Sequence, residues 1–335
     1  MDKISTCRAA YLIPFLDVLR DIGTPVEREL ERAKLPAMVE ETPEEPISKA
    51  FAVEFLAANE KREGIDDLGW LGVHHHSMSI FSTDLLTALM PMPTVKARLD
   101  RFAGLSELED SDVNIGIAES DAIAEVFCDV VQPKELKGYD IAEWVQVYVL
   151  IDIVRSIMGK GWSPDEIRFK SDFSVCDAAR EANPNTRFLS QSVHTSIIMP
   201  SSVLAASQLT CGAAQVPELS IPDKRHGTEN LKRLMRPYLR EGTPKIEVLA
   251  EIMGVSPRSL QRKLKQSGSS YSELIETTRF EMAAEILAAS DTPLIDVAMT
   301  LGYENQSNFG RSFRRISGIS PGKYRREVIG RERAA

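Results

Sequence analysis

Two short clusters of side chains in the last third of the chain have the chemistry to read nucleic-acid bases. One is Arg258, Ser259, Gln261 and Arg262; the other is Gln306, Ser307, Asn308 and Arg311. Arginine pairs bidentately with guanine, glutamine and asparagine pair with adenine, and serine serves either a base or a phosphate. Each cluster sits behind the same frame. The first frame runs Leu249-Ala250, Gly254-Val255-Ser256, Leu260, Arg262, Leu264, and the second runs Val297-Ala298, Gly302-Tyr303-Glu304, Phe309, Arg311, Phe313. The copies lie 48 residues apart up to the glycine and 49 after it, so the second turn or helix start holds one extra residue. A short helix, a glycine turn and a second helix basic on one side make a helix-turn-helix.

The elements that must hold these side chains can be read from spacing. Ile246, Leu249, Ala250 and Met253 give the first helix of the first unit a buried face. The small Ala250 allows a close helix crossing. Gly254 suits a left-handed turn residue; Ser256 caps the next helix and Pro257 takes its first position. Leu260 and Leu264 anchor that helix inward. In the second unit Pro293 opens the segment, Ile295, Val297, Ala298 and Leu301 form its inner face, and Phe309 and Phe313 are the anchors. A linking helix from about Tyr271 to Ala289 holds the units through Leu274, Ile275, Thr278, Met282, Ile286 and Leu287. Two such helices on one rigid piece are expected to enter successive major grooves roughly 34 Å apart, or to bend the duplex to fit.

Charge agrees with this placement. The chain of 335 residues has a net charge of −9, but the ends differ. From Lys224 onward there are 20 basic and 13 acidic residues, a net of +7; before it 20 basic face 36 acidic, a net of −16. A polyanion-binding end on an acidic partner domain follows, the acid also serving solubility and repulsion from non-specific DNA. The length predicts two domains, three at most. Cysteines at 7, 128, 176 and 211 have no zinc or dithiol spacing and read as reduced structural thiols, with a redox switch as the alternative. The apolar stretch Tyr11 to Leu19 contains Pro14 and Asp17 and reads as a helix, not a signal peptide. Trp144 to Val154 is too short to span a bilayer. A cytoplasmic protein without membrane contact is expected.

The N-terminal region reads as α+β, helices first and a small mixed sheet after. Leu12, Phe15, Leu16 and Leu19 share a face; Pro25 opens a short helix with Leu30 and Ala33 inward. Ser48 caps a helix carrying Phe51, Phe55 and Leu56, and Ser82 precedes another. Thr94 to Leu105 follows. Val113, Ile115 and Ile117, then Ala124, Val126, Cys128 and Val130, alternate about a turn at Glu119-Ser120-Asp121, which predicts a hairpin. A helix spans Tyr139 to Met158, strands lie at Ile167–Phe169 and His194–Met199, and a helix at Val175–Ala182 lies between them. The expected organisation is a domain over 1–210, a linker over 211–227 and an all-α domain with two helix-turn-helix units over 228–335.

The stretch Gly302-Tyr303-Glu304-Asn305-Gln306-Ser307-Asn308-Phe309-Gly310-Arg311-Ser312-Phe313-Arg314-Arg315-Ile316-Ser317-Gly318-Ile319-Ser320-Pro321-Gly322-Lys323-Tyr324-Arg325 resembles the signature of the AraC/XylS family of bacterial transcription regulators. The resemblance covers residues 229 to 328. It implies sequence-specific binding of double-stranded promoter or operator DNA, with Arg258, Gln261, Arg262, Gln306, Ser307 and Arg311 at bases. Lys263, Arg314 and Arg315 are expected at phosphates. Gly310 stands where serine or threonine is commoner. The N-terminal region is similar to the arabinose-binding-like domain of one branch of this family, on Phe81-Ser82-Thr83-Asp84-Leu85-Leu86-Thr87-Ala88-Leu89, Thr94-Val95-Lys96-Ala97-Arg98-Leu99 and Trp162-Ser163-Pro164. That likeness implies an effector-sensing or dimerising domain, with a small-molecule effector, a homodimer and, for an activator, RNA polymerase as partners.

Other features invite weaker readings. Adjacent histidines at 74, 75 and 76 point apart on a strand or helix and read as a polar turn or helix end, not a metal site. His194 and His226 are isolated. No nucleophile elbow, phosphate loop or dinucleotide fingerprint is present, so no cofactor is expected. Arg325, Arg326, Arg331 and Arg333 form a basic tail that either touches phosphate or frays. Two alternatives stay open: an N-terminal domain that only dimerises or binds a protein, and an enzyme fused to a DNA-binding module.

Overall fold

A computed structural model describes residues 4–74, 78–131, 136–207 and 227–332 of the chain. The chain divides into two compact units. One comprises residues 5–35 and 48–222; the other takes residues 36–47 and 223–335 together with Ile4. Of the linker expected over 211–227, residues 211–226 lie outside the described residues, as do His75, His76, Cys211, His226 and Arg333.

The N-terminal unit is built mostly of helices, with a small mixed sheet. Its elements begin with β1 (Thr6–Arg8), α1 (Ile13–Asp21) and α2 (Val26–Arg32). After β2 (Pro46–Ser48), whose first two residues belong to the other unit, come α3 (Lys49–Glu63), α4 (Leu68–Val73), α5 (Thr83–Leu89) and α6 (Val95–Leu105). Side-chain oxygens cap three of these helices: Ser48, as expected, accepts from the Phe51 N–H; Ser82 accepts from Leu85 and Thr94 from Ala97. β3 (Val113–Glu119) and β4 (Ile123–Val130) form the expected hairpin, paired Val113 with Val130. Ala124, Val126, Cys128 and Val130 all face inward. α7 (Tyr139–Met158), β5 (Glu166–Arg168), α8 (Asp177–Ala182), β6 (Arg187–Leu189), β7 (Ser196–Pro200) and α9 (Ser201–Leu204) complete the unit. The sheet order is β3-β4-β7-β5-β6; only β5 and β6 run parallel. β6 has no alternating pattern and carries no signal in the sequence.

α7 has the bounds that its apolar run predicts, and it is buried nearly all round. A helix apolar on every side belongs in a core. Three polar groups on it are buried too. Glu143 accepts hydrogen bonds from the Lys170 and Ser171 N–H groups at 2.5 and 3.1 Å, and from the Ser171 and Thr195 hydroxyls. Gln146 joins a polar group described below. Burial pushes the Asp152 carboxyl up to about 7, against a weaker downward pull from Arg155. The guanidinium of Arg98 is 1% exposed and donates to the carbonyls of Met90, Met92 and Ser156 and to the Ser156 hydroxyl, tying α5, α6 and α7. Helices α1, α3, α6 and α7 surround a cavity.

His194 and His74 have structural partners. His194 Nδ1 lies 2.7 Å from Asp129 Oδ2, and its ring stacks on Phe127 at 4.6 Å. His74 ends α4, stacked on Trp70 at 5.3 Å with Nδ1 3.0 Å from the Leu71 carbonyl. Among the described residues no cluster of His, Cys, Asp and Glu could hold a metal ion, and no helix is long and apolar enough to cross a membrane.

The C-terminal unit is helical throughout residues 227–332. It comprises α10 (Gly227–Glu241), α11 (Ile246–Ile252), α12 (Pro257–Gln266), α13 (Tyr271–Ala289), α14 (Leu294–Thr300), α15 (Gln306–Ser317) and α16 (Pro321–Glu332). One apolar core runs through it, from Leu231 and Leu239 on α10 through Leu249 and Leu264 to Phe309 and Phe313. Ile4 is 7% exposed and belongs to this core. From the 36–47 segment, Glu45 accepts from Arg236 Nε at 2.9 Å, and the Met38 N–H donates to Glu241 at 2.8 Å.

Candidate nucleic-acid interface

The two helix-turn-helix units, α11 with α12 and α14 with α15, share the same backbone devices. α11 ends in a Schellman motif: the Gly254 N–H donates to the Glu251 carbonyl and the Val255 N–H to Ala250, both at 2.9 Å. α14 repeats it, Gly302 to Met299 at 2.9 Å and Tyr303 to Ala298 at 3.0 Å. Both glycines are left-handed, with φ of 62° and 69°. They differ in surroundings. A methyl on Gly254 would meet nothing within 4 Å, whereas one on Gly302 would lie 2.6 Å from the Leu239 carbonyl oxygen. The second turn is therefore pressed against the end of α10, and only glycine fits there.

The extra residue of the second copy lies in the turn. Ser256 caps α12, accepting from the Ser259 N–H at 3.2 Å; Asn305 caps α15, accepting from the Asn308 N–H at 2.8 Å. One residue, Val255, separates Gly254 from its cap, and two, Tyr303 and Glu304, separate Gly302 from its own. From the caps onward the helices superpose in register: Arg258 with Ser307, Gln261 with Gly310, Arg262 with Arg311, and position 265 with 314.

Leu260 and Leu264 of α12, and Phe309 and Phe313 of α15, are buried. Helical spacing then sets the opposite faces. On α12, Arg258, Gln261 and Arg262 are exposed and share a face with Lys265, which the sequence reading left out. The spacing 258, 261/262, 265 is the signal that would have found it. Ser259 is half-buried and its hydroxyl accepts from Ser256 Oγ at 3.0 Å. Lys263 is half-buried on the flank, in register with Ser312, whose hydroxyl accepts from the Tyr303 O–H at 3.1 Å. On α15, Gln306, Ser307, Arg311, Arg314 and Arg315 are exposed and Asn308 is half-buried. Arg311 Nη2 donates to Asn308 Oδ1 at 2.6 Å, and Arg315 pairs with Glu276 of α13 at 2.5 Å. α12 carries four basic residues and α15 three, and neither carries an acid. Arg325 is turned inward, donating to the Thr292 carbonyl at 2.5 Å.

One expectation for the frame fails. Ile295 is 44% exposed, and Leu294 packs on the core in its place. Pro293 is the residue before α14, so the helix starts at Leu294, and Leu294, Val297, Ala298 and Leu301 make the inner stripe. Ile295 is turned about 100° from Leu294.

α13 fixes both units. Ser270 and Glu273 form a capping box at its start. Lys232 pairs with Glu281 at 2.6 Å and Arg236 Nη1 with Glu285 at 2.9 Å, bolting α10 to α13. Arg279 lies over the Tyr303 ring at 4.9 Å and donates to the Gly242 carbonyl and the Thr243 hydroxyl, both at 3.1 Å. The second turn is thereby tied to the loop before α11. Phe280 and Tyr324 sit 5.0 and 5.3 Å from the Phe313 ring and back α15.

Residues 249–327 match the helix-turn-helix domain family. The chain is 35% identical over 82 residues to the ornithine utilization regulator of Pseudomonas aeruginosa, a match covering 24% of each chain. It is 36% identical over 105 residues to the HTH-type transcriptional regulator VirS of Mycobacterium tuberculosis, covering 31% of each. These matches leave most of both relatives' length unaligned. The regulatory protein SoxS of Salmonella typhimurium is 36% identical over 84 residues, 25% of this chain and 78% of SoxS. On the paired motif, its geometry and these relatives, the chain belongs to the AraC/XylS family of helix-turn-helix transcription regulators.

Proposed function

We propose that the protein binds double-stranded promoter DNA sequence-specifically through α12 and α15 and that a small molecule in the N-terminal unit controls it. Arg258, Ser259, Gln261, Arg262, Gln306, Ser307, Asn308 and Arg311 meet bases; Lys263, Arg314, Arg315 and Lys265 meet phosphates. The observation that carries this reading is the pair of acid-free basic helices, alike in cap and register, built on one continuous core. The sensing and dimerising region spans 1–210, the linker 211–227 and the DNA-binding region 228–335, which Ile4 and residues 36–47 complete. The cavity within the N-terminal unit supports sensing over mere assembly. A homodimer, a cytoplasmic location and, for activation, contact with RNA polymerase belong to the same reading.

The test is a titration of the full chain on the DNA upstream of its own gene, across salt. Affinity should fall steeply as salt rises, because phosphate contacts release counterions. Arg311→Ala should cost about 1–3 kcal/mol and blur selectivity at one base pair. Unchanged affinity and selectivity would remove α15 from the interface.

A further inference from the structure

The cavity between α1, α3, α6 and α7 has apolar walls and one polar end. Phe15, Leu56, Phe102, Ile141 and Val149 are among the walls; Lys49, Asp110 and Gln146 stand at the end.

The polar end has a definite sense. Lys49 is 3% exposed and donates to Asp110 Oδ2 at 2.6 Å. Among the described residues Asp110 is its hydrogen-bond partner, so two of the three ammonium N–H groups remain for a ligand. Gln146 Nε2 donates to the same Asp110 oxygen at 3.3 Å, and its Oε1 accepts from the Cys128 thiol at 2.9 Å, which leaves one amide N–H. The acceptors are occupied. Asp110 Oδ1 takes the Asp112 N–H at 2.9 Å. The neighbouring Glu109 takes Arg8 at 2.6 Å, the Tyr11 hydroxyl at 3.1 Å, and both the N–H and the hydroxyl of Ser82. The cavity end therefore offers N–H donors from Lys49 and Gln146, beside carboxylates that are already engaged.

Its charges also cancel. Lys49 balances Asp110, and Arg8 balances Glu109. A ligand with a net charge of either sign would be desolvated without a counter-ion, which is costly. Cys7 also lines the cavity, and burial with the nearby Asp110 charge pushes its thiol up to about 12. It stays protonated at neutral pH, so capture through a thiolate is not available.

We propose that this cavity binds an uncharged, largely apolar small molecule that presents a carbonyl-type oxygen, as an amide, ester or ketone does, to Lys49 and Gln146. This rests on the reading of the N-terminal unit as a sensor and gives the chemistry of what is sensed. The probes are octanamide, octanoate and octylammonium, which share one apolar body and differ in head group, titrated by calorimetry into the full chain at pH 7. Octanamide should bind at least tenfold more tightly than either ion. Val149→Phe, which fills the cavity, should weaken octanamide at least tenfold. Lys49→Met leaves Asp110 buried without its cation and is prone to misfold, so Lys49→Met with Asp110→Asn is the second variant. It should shrink the preference for the amide over octanoate at least fivefold. Tighter binding of either ion, three affinities within threefold, no binding, or indifference to Val149→Phe would each overturn the proposal. Repeating the DNA titration with saturating octanamide separates the two readings. Binding in the cavity with no change at DNA would refute sensing and leave the ligand assignment standing.

Discussion

Gly310 gives the sharpest test of how α15 is used. It lies in the second turn of a twelve-residue helix, where glycine costs about 0.5–1 kcal/mol relative to alanine. A methyl built there meets nothing within 4 Å, and its backbone is not left-handed, so no steric or conformational cost offsets the gain. Gly310→Ala should therefore stabilise the C-terminal unit by about 0.5–1 kcal/mol and raise its melting point by roughly 2–6 °C. All three tryptophans, Trp70, Trp144 and Trp162, lie in the N-terminal unit. Circular dichroism at 222 nm reports both units, and tryptophan fluorescence only the first. The substitution should shift the helical transition and leave the fluorescence transition in place. A lower melting point would refute the claim that the position is open. The same variant bears on DNA. Gly310 is in register with Gln261 and flanked by Ser307, Arg311 and Arg314, so on the proposed reading it faces the groove. Gly310→Gln should alter base preference at one position without loss of stability. A stable variant with unchanged preference would mean that this face meets no base.

Three further outcomes follow from the geometry. Gly254→Ala should cost about 1–2 kcal/mol for its left-handed backbone, and Gly302→Ala roughly 1–3 kcal/mol more for the overlap with the Leu239 carbonyl; equal losses in urea unfolding would contradict the packing of the second turn. The Asp152 carboxyl, raised by burial from its usual 3.8 to about 7, gives stability that is fully present below about pH 4 and lost as pH rises through 7. Asp152→Asn should therefore stabilise the protein more at pH 8 than at pH 5, by at most about 3 kcal/mol, and an equal effect at both would refute it. Lys265→Ala should weaken binding to all DNA sequences alike and reduce the salt slope by about 1; a change in sequence preference would place it at a base.

The C-terminal unit was legible because its local signals agree. Capping serine, first-position proline, turn glycine and apolar spacing all point to one arrangement, and the repeat shows it twice. The misplacement of Ile295 arose where proline sets the helix start and two adjacent apolar residues compete for the inner stripe. Lys265 was legible by its spacing from Arg258, Gln261 and Arg262. α7 was readable from end to end because twenty residues of helix leave little room for another assignment. The three-residue β6 was not, since parallel pairing to β5 needs no alternation. Nor was the cavity. Its walls come from distant segments, and Lys49 looks like any surface lysine until Asp110, 61 residues away, is folded against it.

The place of Ile4 and the 36–47 segment matters for anyone who would cut this protein apart. A fragment starting at residue 227 would lack Ile4 from its apolar core, and Arg236 would keep Glu285 but lose Glu45. Grafting the C-terminal unit onto another sensor therefore means transplanting three stretches of polypeptide, two of which are encoded before the sensor is half translated.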